Sequence, residues 1–234
     1  MGDAAVEYEL HGAVGVITID RPPVNAYTAD LERALAASWR QAAADVAAAV
    51  IVLRAEGPHF CAGVDVHASD SGPPSAAERA GSGEELRFVR DLPKPTIAAV
   101  QGGCVGGGLR FVWPCDLIFC AEDAFFRDPL PAMGMGGILA PIDTWLCGPR
   151  VAKEMAFSGM RIPAARLHGI GAVNRLYPAE RLTSETVAFA TELAQLDAAS
   201  LRQAKRAVNA TTDLMGQHLV ATRIIEQLDR PAPR

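Results

Sequence analysis

The feature of this sequence that most constrains its fold is a cluster of glycines between an apolar run and a short helical segment. Thr96–Val100 follows Pro95 and is rich in β-formers, which predicts a short buried strand. Leu109–Trp113 predicts one or two helical turns, because Pro114 cannot continue a helix. Five glycines lie within seven positions between these segments: Gly102, Gly103, Gly106, Gly107 and Gly108.

The glycine cluster has two interpretations, a packed turn without chemistry or a binding site. Glycine has no Cβ, so such a turn allows a ligand to approach the backbone closely. The first N–H groups of the following helix suit a phosphate, or the negative oxygen of an attacked or enolised carbonyl. Neither nucleotide fingerprint, G-x-G-x-x-G or G-K-S/T, fits these glycines. The spacing alone leaves both interpretations open.

Composition and charge exclude several classes of function. The formal net charge of −5 argues against a nucleic-acid or anionic-membrane surface, since either requires a basic face. No apolar run approaches the ~20 residues of a membrane span, and the N-terminal segment lacks the features of a signal peptide. The five histidines show no metal-ligand spacing, so we expect no metal site. We expect a cytoplasmic protein.

The cysteines support a reducing compartment. They are odd in number, include no CxxC motif and occur in a chain large enough to fold without disulfides. We expect all five to be reduced and buried as small hydrophobic residues. They are Cys61, Cys104, Cys115, Cys120 and Cys147.

The order of elements predicts an α/β fold. Residues 5–20 predict two short strands joined at His11-Gly12, and Thr28 predicts the N-cap of a helix that runs to about residue 48. Ala49–Arg54, Thr96–Gln101 and Leu117–Ala121 predict strands, and the strand–helix–strand order favours a parallel sheet. The apolar stripe of the helix is Leu31, Leu35, Ser38 with Trp39, and Ala42.

The remaining segments are weakly patterned or helical. Residues 68–83 are rich in Ser, Gly, Pro and Ala, which predicts a loop. From Pro149 onward the pattern is mostly helical, with glycines as stops. The predicted helices are Pro149–Ser158, Pro163–Leu167, Ala179–Leu196 and Ala198–Gly216.

Two segments, FCAGVD (60–65) and KPTIAAVQGGCVGGGL (94–109), closely resemble the two signatures of the crotonase superfamily, the enoyl-CoA hydratase/isomerase family. Three further segments are similar to family elements in the same order: VITIDRPPVNA from residue 16, CDLIFCA from residue 115 and AARLHGIGAVNR from residue 164. The resemblance implies a crotonase-like spiral of ββα repeats with a C-terminal helical region. It divides the chain into a core with the acyl-CoA site (1–178) and a trimerisation region (179–234), in a homotrimer or a hexamer. By the same resemblance, residues 68–83 roof the acyl pocket; a surface loop is the alternative.

The resemblance places an oxyanion hole on two backbone N–H groups, those of Val64 and Gly107. Such donors stabilise a thioester enolate or a tetrahedral oxyanion. By the same resemblance, Ala62 and Asp65 flank the coenzyme A end of the site, although an N-cap is the favoured role for Asp65. Gly106, Leu130 and Met133 complete the predicted substrate-binding residues.

The sequence departs from the family at both positions that hold glutamates in hydratases. Arg110 stands at the first position and Leu130 at the second, so the usual acid–base pair is missing. Two carboxylates are candidates for a relocated base, Asp128 and Asp143. For Asp128 we favour an ion pair with Arg110, because a buried arginine requires a counter-charge. We also expected Asp128 and Leu130 to share one face of a strand.

Other residues are weaker candidates for the site. His67 follows the first signature, although a surface histidine is the favoured interpretation. Tyr27, Met133, Met135 and Trp145 are candidates to line the acyl pocket, and core packing would explain each equally well.

The sequence therefore predicts an acyl-CoA enzyme of the hydratase/isomerase class, with coenzyme A as part of the substrate and no separate cofactor. Two alternatives remain: another crotonase reaction such as decarboxylation or thioester hydrolysis, and binding of acyl-CoA without catalysis. Asp128 turned into the pocket would favour the hydratase/isomerase class. Arg110 alone facing the acyl group would favour another crotonase reaction, and Arg110 closed on Asp128 would favour binding without catalysis.

Overall fold

The computed structural model describes residues 5–65, 76–134 and 139–217. The elements alternate between strands and helices, so the predicted α/β class is confirmed. The strands are β1 (Val6–His11), β2 (Val14–Ile19), β3 (Val50–Ala55), β4 (Thr96–Val100), β5 (Gly103–Val105), β6 (Leu117–Ala121), β7 (Phe125–Arg127), β8 (Ile162–Pro163) and β9 (Arg175–Tyr177). The α-helices are α1 (Ala29–Ala44), α2 (Ala76–Arg90), α3 (Gly107–Val112), α4 (Ala140–Ser158), α5 (Ala164–Gly169), α6 (Leu182–Leu193) and α7 (Ala198–Leu214).

The larger sheet contains six strands in the order β1-β2-β3-β4-β6-β9. The predicted N-terminal hairpin forms, with Val6 opposite Ile19 and His11 opposite Val14. From β2 to β9 all neighbours are parallel, as the strand–helix–strand order predicted. The burial of β3 and β4 explains their continuous apolar sequences, since both faces of a parallel strand are covered.

The smaller sheet, β5-β7-β8, carries the glycine cluster. Gly103, Cys104 and Val105 form β5, which the sequence did not predict as a strand, and they pair in parallel with β7. An isolated parallel bridge joins Cys61 to Cys104, so the segment before the first signature glycine lies beside β5. The two signature segments are therefore neighbours in space.

Helix α1 begins as the sequence predicted. The Thr28 hydroxyl accepts a hydrogen bond from the Leu31 N–H at 3.1 Å, and Thr28 has extended backbone angles. The helix ends at Ala44, earlier than predicted, because the Asp45 carboxylate accepts from the Ala47 N–H and forms a turn. The predicted apolar stripe is buried as a whole: Leu31, Leu35, Ser38, Trp39 and Ala42.

The prediction of a loop over residues 68–83 was wrong for its second half, because α2 begins at Ala76. Contacts with other helices stabilise the later turns of α2. Arg40 of α1 pairs with Glu85, and the Arg90 guanidinium donates to the backbone oxygen of Asn209 and the side chains of Thr212 and Asp213 in α7. Residues 66–75 lie outside the described structure, so the predictions for His67 and for the first part of the 68–83 segment stay predictions.

The C-terminal helices agree with the prediction in order but differ in length. Helix α4 starts at Ala140, well before Pro149, and is interrupted at Gly148 (φ 76°, ψ 160°). Helix α6 covers Leu182–Leu193 of the predicted 179–196, and α7 ends at Leu214 instead of Gly216. The division of the chain at residue 178 stays a prediction.

The core lies around the parallel sheet and includes Phe60, Phe119 and Phe126, none of which is exposed. All five cysteines are free and buried, which confirms that prediction. Among the described helices, none combines the length and apolar character that a membrane crossing needs.

Candidate active site

Two glycines of the segment between β4 and α3 allow it to pack tightly against neighbouring residues. Gly102 has φ +54°, and a Cβ there would lie 2.0 Å from the Pro58 carbonyl oxygen. A Cβ on Gly108 would lie 2.7 Å from the Cβ of Cys61. Because no side chain fits at either position, the packed-turn interpretation explains these two glycines.

Gly106 and Gly107 form the N-terminus of α3. Gly106 is its N-cap, with φ 52° and ψ −112°, which strongly favours glycine. Its N–H donates to the Arg127 carbonyl at 2.9 Å. Gly107 lies against the ring of Tyr27, so closely that an added Cβ would stand 2.6 Å from the ring.

Tyr27 also positions Val64. The Tyr27 N–H donates to the Gly63 carbonyl at 2.7 Å, and the Tyr27 carbonyl accepts from the Asp65 N–H at 3.1 Å. These two hydrogen bonds make Tyr27 and Val64 an isolated parallel bridge, in which the N–H of Val64 takes no part. Tyr27 therefore contacts both predicted oxyanion positions, Val64 through its backbone and Gly107 through its ring.

The N–H groups of Val64 and Gly107 share one property. Among the hydrogen bonds of the described residues, neither N–H has an acceptor. Gly107 is the first residue of α3, where a helix offers no internal acceptor. Gly107 is buried, and main-chain donors are nearly always paired when buried, so its unpaired N–H indicates a place for an external acceptor. Val64 is 38% exposed, so its N–H is open to a ligand that approaches from solvent.

The predicted ion pair between Arg110 and Asp128 was wrong. The Arg110 guanidinium pairs with Glu32 at 3.0 Å, and both side chains are largely buried. The Glu32 carboxylate also accepts from the Tyr27 hydroxyl at 2.5 Å. Arg110 and Glu32 border a water-sized cavity of about 30 Å³ between α1, α2 and α3. The counter-charge that a buried arginine requires is present, but α1 supplies it.

Asp128 lies just after β7 and is only 1% exposed. Its Oδ1 accepts from the Leu130 N–H at 3.0 Å, while its Oδ2 has no partner among the described residues. Leu130 has helical angles, so the prediction that both side chains share one strand face was wrong. Burial raises the pKa of Asp128, and the Leu130 N–H partly opposes this increase.

Asp143 lies in the first turn of α4 and is fully buried. Its Oδ1 accepts from the indole N–H of Trp113 at 2.8 Å, and its Oδ2 has no partner among the described residues. Burial raises the pKa of Asp143 to about 7; the negative charge of Asp128 adds to the increase, and the Trp113 hydrogen bond opposes it.

The two aspartates belong to one cluster beneath the glycine turn. The indole of Trp113 stacks on Phe126 with ring centroids 5.1 Å apart, and Asp128 follows Phe126 by two residues. Pro129 and Leu130, which follow Asp128, lie beside Gly106: a Cβ added to Gly106 would be about 4 Å from both side chains. The sequence indicated both aspartates, but it contained no signal for Trp113 as their neighbour.

The other predicted residues have varied positions. Asp65 pairs with Arg21 at 3.0 Å, an interaction that the sequence did not indicate, and the residues that it would cap as an N-cap lie outside the described structure. The Ala62 N–H donates to the Val24 carbonyl at 3.1 Å.

Leu130 is buried beside Gly106, and Met133 ends a short 3-10 helix. Met135 lies outside the described residues, and the pocket role of Trp145, half-buried in α4, stays a prediction.

Comparison with known proteins agrees with this architecture. The family model described as enoyl-CoA hydratase/isomerase matches residues 9–227. EchA13 of Mycobacterium tuberculosis, named as a putative enoyl-CoA hydratase, is 33% identical over 90% of this chain and 75% of the relative.

Solved structures show the same fold. A probable enoyl-CoA hydratase from Mycobacterium smegmatis is 37% identical, with a TM-score of 0.87 over 95% of this chain and 91% of its own. A probable enoyl-CoA hydratase from Mycobacterium thermoresistibile is 41% identical, with a TM-score of 0.86 over 95% and 94%. The chain belongs to the enoyl-CoA hydratase/isomerase family of the crotonase superfamily.

Proposed function

We propose that this protein is an acyl-CoA enzyme of the hydratase/isomerase class. In this proposal the thioester oxygen accepts from the N–H groups of Val64 and Gly107, which stabilise the negative charge that develops on it. Coenzyme A is part of the substrate, and no separate cofactor takes part. Ala62, Asp65, Gly106, Leu130 and Met133 contact the substrate, as the family resemblance implies.

The observation that carries the proposal is the pair of N–H groups without acceptors in the described structure. Val64 and Gly107 are held by the same residue, Tyr27, so their relative position is fixed before a ligand binds. Pre-organised donors need no rearrangement during the reaction, and one such donor contributes roughly 3–4 kcal/mol to transition-state stabilisation.

The ion pairing distinguishes between the alternatives. Because Glu32 neutralises Arg110, the arginine is poorly suited to hold a substrate carboxylate, which weighs against decarboxylation of a carboxylated acyl group. Because Arg110 is not closed on Asp128, a buried carboxyl remains beside the glycine turn for acid–base chemistry. The first observation favours hydration or isomerisation over decarboxylation, and the second favours it over binding without catalysis.

The test is hydration of crotonyl-CoA by the purified chain and by two variants of Gly107. Gly107→Pro removes the N–H, and proline is accepted at the first position of a helix. Gly107→Ala is the matched control, because it adds the same Cβ against Tyr27 and keeps the N–H. We expect kcat of the proline variant to fall 10²–10³-fold below that of the alanine variant.

Val64→Pro against Val64→Ala repeats the comparison at the second donor, and circular dichroism verifies folding of all four variants. Equal rates for folded proline and alanine variants would contradict the oxyanion role. A wild-type chain that binds acyl-CoA without turnover would instead favour the binding alternative.

A further inference from the structure

Asp128 and Asp143 are the fully buried acidic residues of the described structure, and neither has a cationic partner there, unlike the partly exposed Glu32 and Glu85. Glu32 is paired with Arg110, and Glu85 is paired with Arg40. Each of the two aspartates is at most 1% exposed and has an Oδ2 without any hydrogen-bond partner among the described residues. A buried carboxyl oxygen without a partner is destabilising, so its presence calls for a functional explanation.

The two carboxyls interact with each other. Burial is the main cause that raises the pKa of both carboxyls, the negative charge of Asp128 adds to the increase for Asp143, and no positive charge among the described residues lowers either pKa. The thiols of Cys104 and Cys147 and the indole of Trp113 are the other polar groups against Asp143. Burial raises the pKa of both thiols, so they stay neutral near pH 7. One proton shared by the two carboxyls relieves the repulsion between them.

The cluster is directly connected to the proposed oxyanion turn. Arg127, just before Asp128, accepts the Gly106 N–H through its carbonyl, and a Cβ added to Gly106 would lie 3.8 Å from Pro129, just after Asp128. Trp113, which donates to Asp143, is the C-cap of the helix whose first residue is Gly107. Both aspartates are thus held by segments that form the turn.

We propose that Asp128 and Asp143 act as one acid–base pair that shares a single proton and replaces the two glutamates of hydratases. The inference rests on the proposed function. In hydration, the ionised carboxyl takes a proton from water while the water oxygen bonds to Cβ of the enoyl thioester. The protonated carboxyl delivers its proton to Cα as the double bond is lost. One proton enters the pair and one leaves it, so the pair is ready for the reverse step or the next cycle.

The experiment compares Asp128→Asn, Asp143→Asn and the double variant with the wild type. Asp197→Asn is the matched control: Asp197 caps α7 through the Ser200 N–H at 2.8 Å, and asparagine caps a helix equally well. We expect each single variant to lower kcat on crotonyl-CoA 10²–10³-fold with little change in KM. The double variant should be no slower than the slower single variant, because the two groups act as a unit.

The wild-type rate should show a bell-shaped dependence on pH, because the pair is active only with one proton. Each single variant should lose one limb of this profile. A second readout requires no turnover: the infrared band of a protonated carboxylic acid should be present at pH 6 in the wild type and absent from the double variant. Its absence from the wild type would overturn the proposal.

The two proposals fail in different ways. Folded aspartate variants with wild-type rates, together with an inactive Gly107→Pro, would overturn the pair and leave the oxyanion site standing. A wild type that shows the band but neither hydrates crotonyl-CoA nor exchanges the Cα protons of butyryl-CoA in deuterium oxide would overturn both.

Discussion

Asp143 shows how far its surroundings change the chemistry of a single residue. At the surface an aspartate is ionised at neutral pH, whereas burial and the neighbouring Asp128 raise the pKa of Asp143 to about 7. Arg110 is the contrasting case, because its largely buried guanidinium pairs with the Glu32 carboxylate at 3.0 Å. The sequence predicted that both residues would be near the site, but not which carboxylate would lie against which charge.

The raised pKa of Asp143 makes the stability of the fold depend on pH. Between the ordinary value near 3.8 and about 7, the folded state holds a proton that the unfolded state has released. The free energy of unfolding should therefore fall as pH rises through this range. In Asp143→Asn this slope should flatten, and at pH 8 the variant should be more stable by up to about 4 kcal/mol.

Urea denaturation of both proteins from pH 4 to pH 8 measures this difference. Asp197→Asn is again the control, since its carboxylate is exposed and helix-capping. Parallel pH profiles for Asp143→Asn and the wild type would contradict the raised pKa.

At the scale of elements, local sequence signals predicted helix α1 correctly but missed helix α2. The cap and the apolar stripe of α1 are as predicted because both depend on residues within a few positions of each other. Helix α2 was missed because Gly81 and Gly83 lie inside it and glycine disfavours helix. Its ion pairs with α1 and α7 supply the stability that its own sequence lacks.

The cap of α1 gives a prediction for this scale. Thr28→Ala removes the acceptor of the Leu31 N–H and should lower the free energy of unfolding by about 1 kcal/mol. Thr28→Ser keeps the hydroxyl and should lie within a few tenths of a kcal/mol of the wild type. Chemical denaturation measures both variants. Equal losses would mean that the methyl group, and not the cap, is responsible.

At the scale of the whole molecule, α7 leaves apolar side chains in solvent. Its inner side contacts the chain through polar residues, including Lys205, whose ammonium pairs with Asp116 at 2.8 Å. Toward the C-terminal end of α7 and at its C-cap, Val208, Leu214 and Met215 are 64%, 91% and 65% exposed. Exposed apolar groups on one helix are typical of an interface, which accords with the homotrimer or hexamer predicted for this chain.

The prediction is that the exposed apolar residues toward the C-terminal end of α7 contact another copy of the chain. Val208→Asp combined with Met215→Asp would place two carboxylates in that interface and should shift the assembly toward monomer, as light scattering coupled to size-exclusion chromatography would show. Arg206→Asp, on a different side of the helix, is the control. An unchanged mass for the double variant, or a monomeric wild type, would contradict the prediction.

The sequence alone determined the α/β class, five of the six strands of the larger sheet and the two signature segments. These features depend on local patterns: apolar runs, caps and a cluster of glycines. The partner of Arg110, the break in α4 and the unpaired oxygens of Asp128 and Asp143 were decided only by tertiary structure. Such features depend on which distant side chains share a low-dielectric interior, and spacing along the chain does not encode that proximity.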